Sequence, residues 1–112
     1  MPLQAGVWSV NANGHEGQLH IAEPDEQGIV GGRIFGDVFH GFWTETSQRL
    51  MFIRNPAGRD SSHKQVYTAF LFDTRRTDKF TLAGYFEAFE GTGATSARNV
   101  FGWVAEVLRR PD

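Results

Sequence analysis

Turn-forming clusters interrupt this sequence at intervals of about 10 to 17 residues, and that spacing leaves little room for anything but short strands. The clusters are Asn13-Gly14, Pro24-Asp25, Gly36-Asp37, Asn55-Pro56-Ala57-Gly58 and Glu90-Gly91-Thr92-Gly93. Between them lie runs crowded with Phe, Val, Ile, Tyr, Trp and Thr, the side chains that suit a pleated surface. A glycine, a proline or a β-branched run breaks every window longer than about ten residues, which argues against helices. The best helical candidate, Trp103–Arg110, gathers its polar residues only at its end. The pattern therefore predicts eight strands: Gly6–Asn11, Gln18–Glu23, Ile29–Phe35, Val38–Thr44, Arg49–Arg54, Gln65–Asp73, Lys79–Phe89 and Asn99–Leu108.

Strands joined in sequence by short turns favour an antiparallel up-and-down barrel. A Greek-key sandwich needs long crossovers, and only Asn55–Lys64 is long enough to be one. Internal glycines at Gly31, Gly32, Gly41, Gly84 and Gly102 fit the sharp coiling of a small closed barrel. With 112 residues, the chain is read as one domain with one core. A net charge of −2 offers no basic field for nucleic acid or an anionic membrane. No run of about 18 apolar residues could span a bilayer as a helix. Met1-Pro2-Leu3-Gln4 is not a charged and apolar leader, and there are no cysteines for disulfides or thiolate metal sites. These features give the expectation of a cytoplasmic protein.

Alternation assigns the faces. Trp8 and Val10 share one face of the first strand, and Leu19 and Ile21 share one face of the second. Both pairs are expected inside. The middle strands lack that contrast: Phe39-Gly41-Trp43 opposes Val38-His40-Phe42, and Leu50-Met51-Phe52-Ile53 is apolar on both sides. Tyr67-Ala69-Leu71 opposes Val66-Thr68-Phe70-Phe72. Val38, Phe42, Leu50, Phe52, Val66, Phe70 and Phe72 are assigned to the outer face, with Ile53 inside. A single-layer barrel has nothing of its own to cover apolar outer side chains. Self-association through Val38, Phe42, Phe52, Phe70 and Phe72, at least as a dimer, is therefore expected.

Gly6-Val7-Trp8 resembles the Gly-x-Trp opening of the calycin barrels. Gly28–Thr46, with Phe39-His40-Gly41-Phe42-Trp43, resembles the third and fourth strands of the avidin and streptavidin barrels. Chain length and strand count are similar across the whole sequence. The resemblance implies a ligand site inside the barrel and a dimer pairing that can repeat to a tetramer, but its biotin anchors are not matched. Val10 stands where the resemblance places an Asn, two residues after the tryptophan. The Asp implied on the last strand is missing, with Phe101, Trp103 and Ala105 as its inward residues. Tyr67, Phe86 and Ile53 take wall positions that tryptophans hold in that family.

The expected function is that of a non-enzymatic binding module without a cofactor, taking a small apolar or aromatic ligand other than biotin. Phe39, Trp43, Tyr67, Phe86 and Trp103 would wall the interior. Asn11, Arg59, His63 and Arg98 would stand at the mouth, because the longer connectors collect at that end. The alternative is an interaction or structural protein, for example a protein inhibitor, whose barrel is filled and works through its outer surface. A small isomerase or cyclase is a third reading, but no general base is evident inside. His15, His20, His40 and His63 have no metal-ligand spacing, so no metal is expected. Gly91-Thr92-Gly93-Ala94 lacks the lysine of a phosphate loop.

Overall fold

The structure, a computed structural model, describes residues 1–55, 64–90 and 97–111, without the side chains of residues 89, 90, 97 and 98. Eight strands follow one another around a closed antiparallel barrel, each paired with its neighbours in sequence and the last with the first. They are β1 (Gly6–Ala12), β2 (His15–Ile21), β3 (Ile29–Ile34), β4 (Asp37–Thr44), β5 (Arg49–Arg54), β6 (Gln65–Thr74), β7 (Lys79–Glu90) and β8 (Ala97–Leu108). All eight expected strands form, and β5 has the expected bounds. Trp103–Leu108 continues β8 rather than turning helical, because it pairs with β7 as far as Leu108↔Lys79.

The turns follow local chemistry. Phe35 and Gly36, between β3 and β4, both have positive φ, at 51° and 83°. That is the backbone of a two-residue hairpin whose twist matches its strands. Glycine tolerates it freely, whereas phenylalanine does so at a cost of about 1–2 kcal/mol.

Alternation places the core as expected on β1, β2, β4 and β6. Trp8, Val10, Leu19, Ile21, Phe39, Trp43, Tyr67, Ala69 and Leu71 are all buried. On β5 the expectation is overturned. Leu50 and Phe52 are buried at 0% and 1% exposure, while Ile53 is 46% exposed. Cross-strand partners share a face, and Phe52 pairs with Gly41 on one side and Tyr67 on the other, both inward. Gly41 explains the fit: a Cβ there would stand 2.5 Å from the Phe52 Cβ and 2.0 Å from the Met51 carbonyl oxygen. The absent side chain lets β4 and β5 approach while Phe52 turns inward.

Candidate functional site

The inner wall carries a row of rings around half its circumference. Phe52, Tyr67, Phe86 and Phe101 are successive cross-strand partners on β5, β6, β7 and β8. Their centroids lie 4.7, 4.8 and 5.3 Å apart, and the first two contacts are stacked. Phe39 meets Phe52 at 4.2 Å, and Trp103 meets Phe52 and Tyr67 edge-on at 5.9 and 5.5 Å. Trp103 is pinned in place because its indole N–H donates to the carbonyls of Thr68 and Tyr85. Such contacts add roughly 0.5–1.5 kcal/mol per pair beyond area burial. Four of the five expected wall residues, Phe39, Tyr67, Phe86 and Trp103, thus sit together and touch one another or Phe52.

One step further along the same inward parity, the chemistry changes. Asp37 precedes Phe39, Arg54 follows Phe52 and Gln65 precedes Tyr67, so a polar layer lies directly above the rings. Arg54 donates to Asp37 through Nε at 2.9 Å, with a second guanidinium nitrogen 2.7 Å from the same oxygen. Its remaining terminal nitrogen donates to Gln65 Oε1 at 3.0 Å. The Tyr67 hydroxyl, at the top of the ring row, donates to the same Oε1 at 2.8 Å. Arg54 and Asp37 keep 19% side-chain exposure each, so this charge pair faces the mouth rather than the deep interior.

Across the mouth, β1 and β2 contribute small groups, and space remains there. Gly17 has room only for the Phe35 ring, which lies 2.5 Å from where a Cβ would be. The Arg54 guanidinium sits 5.2 Å from the centroid of that ring. Packing on Gly17 and the cation–π contact help to hold Phe35 in its left-handed conformation. What is left is a pocket of about 340 Å3 lined by Ala12, His15, Phe35, Arg54, Gln65, Tyr67 and Phe86. Its size is within the usual range for small-molecule sites.

Burial raises the Tyr67 hydroxyl above the ordinary tyrosine value of 10.0, against the opposing pull of Arg54. Protonated Tyr67 therefore contributes stability in full below that ordinary value, and the contribution is lost as pH rises through the higher folded value. Tyr67→Phe should show a weaker fall in stability above pH about 10 than the native chain. Denaturation midpoints across the alkaline range check this, and parallel declines in the two proteins would contradict it.

The other expected site residues are dispersed. Trp43 lies on β4 four residues beyond Phe39, towards the opposite end of the barrel. There it lines a separate hollow of about 500 Å3 beside Leu3, Asp25 and Glu45, and its indole N–H donates to Glu45. Asn11 falls on the outward parity of β1, where its Oδ1 accepts from the Gly14 N–H and closes the turn. Arg59 and His63 lie outside the described residues, and of Arg98 only the backbone on β8 is described. Asp37 was missed because it was read as part of the Gly36-Asp37 turn, and Arg54 because β5 was assigned the opposite parity, while Gln65 stood on its expected strand without a role. Extending the inward parity of β4 and β6 by one step towards the mouth would have found Asp37 and Gln65, whereas Arg54 also needed the register of β5 with Gly41 and Tyr67. Among the described residues, no group of three or more His, Asp or Glu side chains gathers as metal ligands would.

No family model and no curated protein matches the chain in sequence. Two crystal forms of apo shwanavidin match it in structure. One superposes with a TM-score of 0.64 at 11% identity, over 96% of this chain and 98% of that one. The other gives 0.63 at 11% identity, over 94% and 98%. The fold is avidin-like. At the positions where the sequence resemblance implied biotin anchors, the barrel carries buried Val10, Trp103 and Ala105 and a partly buried Phe101.

Proposed function

We propose that this avidin-like barrel is a non-enzymatic binding module that takes a small aromatic ligand, other than biotin, at the mouth pocket. The observation that carries this reading is the layered mouth: an apolar ring floor, a polar rim from Arg54 and Gln65, and open volume against Ala12 and Phe35. Glu106 lies on the outer face, away from this pocket, and is ion-paired with Lys79. An apolar fluorescent dye tests the location. Trp103 touches Tyr67 in the pocket floor, whereas Trp43 is at the other end. Quenching by dye should survive Trp43→Phe and disappear in Trp103→Phe, and Phe35→Ala should weaken the dye about tenfold. Quenching that follows Trp43, or none at saturating dye, would overturn the reading.

The barrel also self-associates in this proposal, through Val38, Phe42, Phe70 and Phe72, joined by Ile29, Met51 and Ile53 in place of Leu50 and Phe52. These seven are exposed by 37 to 60% on the outer side of β3 to β6. Phe42 and Met51 are direct cross-strand neighbours, as are Ile29 and Phe42. The filled-barrel alternative would use this same face for a different protein.

A further inference from the structure

We propose that the mouth pocket selects an uncharged planar compound that presents an amide or lactam carbonyl to the side-chain N–H2 of Gln65. This rests on the binding reading above and narrows it to a chemical class. Arg54 has donors and no acceptor, so the Gln65 group facing it must be the oxygen. That oxygen accepts from Arg54 at 3.0 Å and from the Tyr67 hydroxyl at 2.8 Å, which uses both of its lone-pair directions. The amide is thereby locked in one orientation, with Nε2 turned away from the pair. Neither Nε2 hydrogen has a partner among the described residues, and Gln65 lines the pocket. A fixed donor beside an apolar floor calls for an acceptor on the edge of a ring.

Charge decides which acceptor. The Arg54 guanidinium is already matched by the Asp37 carboxylate through two nitrogens at 2.9 and 2.7 Å. An incoming carboxylate would meet a neutralised cation and the repulsion of Asp37, and would lose its hydration on entry. A neutral carbonyl loses less and gains the same N–H contact. The donor already made by Tyr67 is directed at Gln65, so it does not compete for the ligand.

The test compares naphthamide, naphthoate and naphthalene by quenching of Trp103 emission in native protein, Gln65→Leu and Gln65→Glu at neutral pH. Native protein should bind naphthamide about tenfold tighter than either of the others. Gln65→Leu keeps the size of the side chain without a donor, and Gln65→Glu presents only acceptors. Both should erase the advantage of the amide over naphthalene. Naphthoate binding as tightly as naphthamide would overturn the selection for a neutral group. Equal binding of naphthalene and naphthamide in the native protein would overturn the Gln65 contact while leaving the apolar pocket in place. Failure of all three compounds to bind would overturn the binding reading itself. The native ligand series decides these points even if a Gln65 variant does not fold.

Discussion

Trp8→Ala should destabilise the folded chain by about 3–5 kcal/mol, the usual cost of deleting a large aromatic side chain from a core. Trp8 has 0% exposure and pairs across β1 and β2 with Leu19, also fully buried. Its indole N–H donates to the Gln4 carbonyl at 3.0 Å, tying residues 1–5 across the end of the barrel opposite the mouth. Leu3 in that segment is buried at 3%. Alanine removes both the ring and this tie, so the cavity and the loosened segment act together. Trp8→Phe keeps most of the ring and loses the N–H, and should cost only about 1 kcal/mol more than the lost area. At roughly 4–8 °C per kcal/mol for a domain near this size, the alanine variant should melt more than 10 °C lower. A melting temperature within a degree or two of the native chain would place Trp8 outside the core and contradict the inward parity of β1.

Strand existence was legible because turn chemistry marks the ends of each run and β-rich composition fills the middle. Faces were legible wherever one side is polar, as with Trp8 and Val10 against Ser9 and Asn11. On β5 they were not. Leu50-Met51-Phe52-Ile53 offers no polar side, so only the register with Gly41 and Tyr67 decides which pair turns inward. Depth was illegible for a different reason. Alternation says which face a residue occupies, but not how far along the barrel axis it lies. Phe39 and Trp43 share a face yet stand four residues apart, about 13 Å along an extended strand, so Phe39 packs on Phe52 in the ring row while Trp43 lines the hollow at the other end. The same limit helped to hide the polar layer of Asp37, Arg54 and Gln65, whose contacts join three successive strands at one end of the barrel.

Under the proposed self-association, Phe42→Glu should give a monomer, with the mass seen by light scattering falling to 12.5 kDa from a higher native value. The seven half-exposed apolar side chains on β3 to β6 amount to on the order of 600 Å2, at the upper end of what a monomer ordinarily leaves wet in one patch and approaching the share of one partner in a standard interface. A second copy offers the matching surface, since an isologous contact buries the same patch on both subunits. Phe42 is the sharpest place to break it. It is exposed by 60%, between Ile29 and Met51 in the same cross-strand row, with no opposite charge among those partners. A glutamate there would be desolvated without a partner in the associated state, at a cost of several kcal/mol, yet fully hydrated in the monomer. Phe70→Glu should act more weakly, because Arg49 is its direct cross-strand neighbour and can pair with the new carboxylate. That ordering separates a specific patch from general hydrophobic stickiness, which would respond equally to either charge. Native protein running as a clean monomer at about 100 μM would refute the contact outright. Association that Phe42→Glu leaves intact would show that it uses another face of the barrel.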